Sequence, residues 1–139
     1  MSYYTYISKQ KVEFYDCDPM GVVWHGNYLK YLEKARGEFL SLVGYSYYAI
    51  SEDNYFFPIV EERLKYTSSL KLLDEFEIRL NLDEFENRLV HTFEIVKDGI
   101  VCVKGKSIQV ALVQGSQELS FFMPKGFVQK IESFLNKVS

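Results

Sequence analysis

From Asn27 onward, Tyr28, Tyr31, Leu32, Ala35, Phe39, Leu42 and Val43 recur at offsets of three, four and seven, with Lys30, Glu33, Lys34, Glu38 and Ser41 filling the other side. That spacing predicts an amphipathic helix. Asn27 suits an N-cap and Gly44 the residue just past the C-terminus, which gives about 17 residues, or ~25 Å. Farther along, the period falls to two. Phe76, Ile78, Leu80 and Leu82 alternate with Glu77, Arg79, Asn81 and Asp83, and Leu89, His91, Phe93 and Ile95 make a second such run. Both read as half-buried strands. Asp98-Gly99 is a hairpin signal leading into a strand from Ile100 to Val113, because both centres of a type I′ turn need positive φ. A fourth strand is expected through Pro58 to Ser68, and an opening one before Tyr15. Phe127, Val128, Ile131, Phe134 and Leu135 form a further helical stripe with Pro124 in its first turn. Strands joined by tight turns imply a largely antiparallel sheet, and the long helix must bury its stripe against it. The expected class is α+β.

Composition narrows the setting. The chain has 139 residues, 47% hydrophobic and 25% charged, with 16 Lys plus Arg against 19 Asp plus Glu. We read it as one domain, 1–139, without repeats or linkers. A net charge of −3 gives no reason to expect a nucleic-acid or anionic-membrane partner. Cys17 and Cys102 have no zinc-type spacing and suit free thiols in a reducing compartment, and no metal or cofactor is expected. Met1 to Val12 lacks a continuous apolar core and no apolar run exceeds four residues, so neither a secretory signal nor a membrane insertion is expected, and the location expected is cytoplasmic. The unusual quantity is the aromatic content, 17%, which serves cores and ligand pockets alike.

The chemistry-bearing stretch is Val12 to Tyr31, VEFYDCDPMGVVWHGNYLKY. Asp18-Pro19-Met20-Gly21 alone describes a tight turn. A carboxylate and an imidazole, Asp18 and His25, nevertheless both fall near the start of the long helix. Its free N–H groups and positive dipole end suit a developing oxyanion. Cys17 lies between Asp16 and Asp18, whose charges raise a thiol pKa, which disfavours a Cys-His hydrolase. His91, on an apolar face, is expected to be a satisfied core or interface residue. Lys104 and Lys106 share a strand face and are solvated, or meet phosphates.

The run Asp18-x-x-Gly21-Val22-Val23-x-His25-x-Asn27-Tyr28, followed by Glu33, Ala35 and Arg36, resembles the 4-hydroxybenzoyl-CoA thioesterase-like family of hotdog proteins, and within it the YbgC-like acyl-CoA thioesterases. The resemblance implies a curved antiparallel sheet wrapped round one long helix, with a short C-terminal helix. It implies hydrolysis of an acyl-CoA to free acid and CoA, Asp18 as nucleophile or general base, and a His25 backbone N–H that polarises the carbonyl. It also implies a homodimer or homotetramer with sites where subunits meet. A thiol leaving group, with a pKa near ~8.5, departs without a strong general acid, so so sparse a site suffices. Gly21, Val23, Trp24, Asn27 and Tyr45 are the expected substrate contacts. That branch carries Tyr four residues before the catalytic Asp, where this chain has Phe14, with Tyr15 beside it. On a strand such a shift points the hydroxyl to the opposite face. The competing readings are a module that binds acyl thioesters without cleaving them, and a hotdog hydratase or dehydratase.

Overall fold

The computed structural model of the chain describes residues 2–116 and 118–139; Met1, where the N-terminal stretch read above begins, and Gln117 lie outside the described residues. In chain order the elements are β1 (Tyr4–Lys11), a 3-10 turn (Phe14–Asp16), α1 (Asn27–Leu42), α2 (Tyr47–Glu52), β2 (Tyr55–Phe56), β3 (Ile59–Tyr66), β4 (Glu75–Glu84), β5 (Leu89–Lys97), β6 (Ile100–Gln109), β7 (Ala111–Val113), β8 (Leu119–Ser120) and α3 (Lys125–Val138). Five strands form an antiparallel sheet ordered β1-β4-β5-β6-β3, and β2-β7-β8 form a smaller one. The α+β class with one long and one C-terminal helix is therefore as expected, except that α3, at 14 residues against 16 in α1, is not short. Among the described residues no helix is long and apolar enough to cross a membrane.

The alternation in β4 and β5 sends Phe76, Ile78, Leu80, Leu82, Leu89, Phe93 and Ile95 inward, and the α1 stripe closes over them through Tyr28, Tyr31, Leu32, Ala35 and Phe39. Phe39 lies at the centre. Its ring meets Tyr4, Tyr6, His91 and Phe134, all within about 6 Å between centroids. Phe127 and Ile131 carry α3 into the same core. Asp98 adopts the positive φ of 51° that the β5–β6 hairpin needs.

Several local expectations are corrected. Asn27 is the first helical residue rather than the N-cap, because its side chain is drawn inward to the carbonyl of Asp16 at 2.7 Å. Leu42 leaves the stripe for solvent and Leu40 takes the buried position. The strand expected from Ile100 to Val113 breaks at Val110, where the chain passes from the large sheet to the small one. Pro124 occupies the N-cap of α3 rather than its first turn. Helix α2 and the small sheet carry too little periodicity to have been read.

Two buried polar residues stand out. Arg36 is 1% exposed and forms ion pairs with Glu33 on its own helix and with Glu62 on β3 at 3.1 Å, which ties α1 to an edge strand. His91 is fully buried, but among the described residues neither ring nitrogen has a hydrogen-bond partner. It is a core residue as expected and not a satisfied one: Leu82 and Ser107 flank it across the ladder and Phe39 covers it. Burial, aided by the Arg36 charge, pushes its pKa from 6.5 down to about 3.

Two outcomes follow for stability. Phe39→Ala should cost about 3–5 kcal/mol in urea unfolding, the range for removing a buried aromatic ring. Between about pH 6.5 and about pH 3 the unfolded chain binds a proton at His91 that the folded chain refuses, so stability falls as pH drops through that window. His91→Leu should flatten the fall measured from about pH 7 to about pH 4, and an unchanged slope would contradict this origin.

Candidate active site

The loop between β1 and α1 is folded back on itself by a bridge between Cys17 and Val23. At its tip the Asp18 N–H donates to the Val22 carbonyl at 2.9 Å and the Asp18 carbonyl accepts from the Gly21 N–H at 3.0 Å. The side chain joins in: Oδ1 accepts the N–H groups of Met20 at 2.9 Å and Val22 at 3.3 Å. Gly21 has a φ of 79°, a conformation that side-chain-bearing residues adopt at a cost. Asp18 thus makes the turn that its local sequence describes. Its other oxygen, Oδ2, has no hydrogen bond among the described residues, and the residue is half-buried.

A second carboxylate, Asp16, holds this loop to the helix. Its Oδ2 accepts the Tyr31 hydroxyl at 2.8 Å and the Glu13 N–H at 2.9 Å. Its backbone carbonyl accepts the Asn27 side-chain amide at 2.7 Å and the Trp24 N–H at 3.2 Å. Both loop strands are thereby pinned to the first two turns of α1, on a residue only 6% exposed. A loop-forming role for Asp16 is in keeping with its place beside the turn; the partner Tyr31, fifteen residues away, is in the sequence an ordinary member of the helical stripe. The one available signal was the acid three residues after Glu13, the pattern of a small capping box, which the structure contains.

The expected site residues divide. Trp24 is 62% exposed and its ring lies over Gly26, where an added Cβ would sit 2.1 Å from the indole. His25 is exposed, with its ring 5.1 Å from that of Tyr66 at the end of β3. The His25 carbonyl accepts the Tyr28 N–H at 3.3 Å, whereas the N–H groups of His25 and Gly26 make no backbone hydrogen bond among the described residues. They are the open donors of the helix start. Asp18 and His25 share this loop-helix junction without a hydrogen bond between them.

Val23 and Asn27 instead face inward. The Val23 side chain belongs to the core and its N–H donates to Leu70 at 2.9 Å. Tyr45 lies beyond the far end of α1, about 24 Å along a helix of this length, buried between Phe57 and Phe127 with its hydroxyl on Asp53. As a contact at the Asp18 loop of its own chain it is withdrawn: the aromatic ring serves the core. Phe14 and Tyr15 do not lie on a strand. They form a 3-10 turn, so neighbouring side chains are not on opposite faces, and both are about 80% exposed.

The electrostatics support the readings of the cysteines. Desolvation, followed by the charges of Asp16, Asp18 and Asp74, raises the Cys17 thiol pKa, and the thiolate that a Cys-His hydrolase needs is suppressed. Both cysteines are free. Among the described residues no group of three or more His, Cys, Asp or Glu could hold a metal. What remains at the junction is a carboxylate and a set of open N–H donors, the minimal equipment for attack on an activated carbonyl.

This fold is that of a hotdog thioester hydrolase. Residues 12–131 match the family described as the Thioesterase-like superfamily, and the chain belongs to it. It is similar to an Aquifex aeolicus (strain VF5) protein that bears an esterase name, with 34% identity over 104 residues covering 73% of this chain and 80% of the relative. A 1,4-dihydroxy-2-naphthoyl-CoA hydrolase of Prochlorococcus marinus subsp. pastoris is 31% identical over 114 residues, 76% of this chain and 75% of that one. Among solved structures, a 1,4-dihydroxy-2-naphthoyl-CoA thioesterase from Synechocystis superposes with a TM-score of 0.83 over 91% of this chain and 95% of its own; at 18% identity it speaks for the fold alone.

If Asp16 is the anchor, Tyr31→Phe leaves a buried carboxylate oxygen short of a donor and should destabilise the protein by about 1–3 kcal/mol in chemical denaturation. A change under about 0.5 kcal/mol, the size expected of a surface substitution, would mean that the bond does not hold the loop.

Proposed function

We propose that the chain hydrolyses acyl-CoA thioesters with Asp18 as nucleophile or general base and the open N–H groups at the start of α1 as the oxyanion site. The observation that carries this reading is the pinning of the Asp18 loop to the helix start through Asp16, which keeps carboxylate and donors in one rigid unit. Rigid placement matters because a reacting carboxylate must sit about 3–3.5 Å from the carbonyl carbon, and preorganised donors act without reorganising. Attack through Oδ2 forms a mixed anhydride and expels the thiolate; alternatively Oδ2 takes a proton from a water that attacks. Oδ1 stays in the turn in either route. Gly21 leaves the approach to Oδ2 clear of a side chain, while Trp24 and the His25 ring border the acyl group. Val23 and Asn27 act by shaping the backbone.

The working unit in this reading is a homodimer or homotetramer. Phe14, Tyr15, Met20 and Trp24 crowd the loop with large apolar side chains, Met20 being 85% exposed. Strands β1 and β3 are open edges. A second copy seated there would cover these residues and close the acyl site.

Thiol release from a panel of acyl-CoAs tests the reading, with 1,4-dihydroxy-2-naphthoyl-CoA, the substrate in one relative's name, beside short and long aliphatic chains. Asp18→Asn should lower turnover about 10²–10⁴-fold. Equal turnover, or ligand binding without hydrolysis by the native protein, would sink it. A His25→Ala variant with full turnover would remove the imidazole from the site and leave the backbone donor.

A further inference from the structure

The Asp18 turn is held from a second side. Its return arm, Gly21 to Val23, lies against the segment 70–74 that leads into β4. The Gly21 carbonyl accepts the Leu72 N–H at 3.1 Å, Val22 forms an antiparallel bridge with Lys71, and the Val23 N–H donates to Leu70 at 2.9 Å. Successive residues of the loop are thus matched by successive residues of the segment. The same segment reaches α1 and the end of β1, since the Leu70 N–H donates to the Tyr28 hydroxyl at 3.1 Å and the Leu73 N–H to the Val12 carbonyl at 3.2 Å. It joins the loop to the helix by a route that does not pass through Asp16.

The segment is itself bent into a tight turn from Lys71 to Asp74, closed by the Asp74 N–H on the Lys71 carbonyl at 3.0 Å. Leu73, the third residue of that turn, has a φ of 68°. Such a position favours Gly or Asn, and a bulky side chain there is strained. Leu73 is 61% exposed, so core packing does not hold it in place. Asp74 does. Its Oδ2 accepts the Lys71 N–H at 2.8 Å, its Oδ1 pairs with Lys97 at the end of β5 at 3.0 Å, and its carbonyl accepts the Val12 N–H at 2.9 Å. Burial pushes the Asp74 carboxyl up, but the Lys71 N–H and the Lys97 ammonium outweigh it and hold the pKa below 3.8, so the acceptor is charged at neutral pH. Strained backbone persists only where its surroundings over-determine it, and such places cluster at functional sites.

We propose that Asp74 is a positioning residue for Asp18. By holding Leu73 in its strained conformation it keeps the 70–72 arm in register with Gly21 to Val23, and so keeps the Asp18 carboxylate aligned with the open N–H groups of His25 and Gly26. This assignment rests on the thioesterase reading above. Asp74 touches no reacting atom; its effect reaches the site through the Leu72–Gly21 and Leu70–Val23 hydrogen bonds.

The test compares the native protein, Asp74→Ala and Leu73→Gly/Asp74→Ala by thiol release from an acyl-CoA and by amide hydrogen exchange. Asp74→Ala lets Leu73 leave positive φ, so kcat should fall about 10- to 100-fold, the effect of a ~1 Å misplacement, with KM within about twofold of native. Adding Leu73→Gly removes the strain and should bring kcat back to within about threefold of native. Exchange of the Asp18 and Val23 amides should quicken at least about tenfold relative to the β4–β5 ladder in Asp74→Ala, and return in the double variant. A rise in KM with kcat unchanged, a double variant as slow as the single one, or exchange that is unaltered or quickened evenly along the chain overturns the assignment. If the native protein cleaves no thioester, the thioesterase reading fails and amide exchange alone decides on Asp74. If Asp74→Ala does not fold, the double variant decides: folding with native exchange at Asp18 and Val23 supports the assignment, and failure to fold overturns it.

Discussion

The buried carboxylate of Asp16 is the constraint on which the candidate site depends. One oxygen and one backbone carbonyl bind Tyr31, Glu13, Asn27 and Trp24, and through them join the Asp18 turn to the helix that fills the concave side of the sheet. Two acids two residues apart thereby take different parts. Asp16 is withdrawn from solvent and spends its acceptors on structure, whereas Asp18, at the loop tip, keeps one oxygen without a hydrogen bond among the described residues. Because α1 is itself fixed by Phe39 and Leu32 in the core, core packing reaches the chemistry through a chain of few links. A loop held this way does not have to be ordered by substrate, so less binding energy is lost on closure.

Much of the fold was legible in the sequence because periodicity is a local signal. The stripe of α1, the alternation of β4 and β5 and the Asp98-Gly99 turn each declare themselves within a dozen residues. The segment from Tyr45 to Phe57 does not, since its aromatics follow neither period, and α2 and β2 emerged only in three dimensions. The candidate site was legible as a motif: Asp18, Gly21, Trp24 and His25 all lie on the loop that leads into α1. What stayed hidden were roles that depend on distant partners. Asp16 needs Tyr31, Arg36 needs Glu62, and nothing near Tyr45 announces that its ring stacks on Phe57 instead of lining a site. Val23 and Asn27 shared the motif with the exposed residues, and only the sidedness of the loop separated them.

The arrangement also explains why so few polar residues suffice. In the proposed reaction the thioester already carries a good leaving group, so one positioned carboxylate oxygen and one oxyanion site would be enough. The rest of the molecule supplies rigidity on the inner face of the sheet. Arg36 adds to that rigidity, since its bond to Glu62 ties the edge strand β3 to α1.

The account meets its most direct test in a crystal structure with an acyl-CoA analogue in which a methylene separates sulfur from the carbonyl, so that no cleavage occurs. The carbonyl oxygen should accept the N–H of His25 or Gly26, and Asp18 Oδ2 should stand about 3–3.5 Å from the carbonyl carbon, the separation of a near-attack geometry. A carbonyl bound away from the start of α1, with Asp18 facing only solvent, would contradict it.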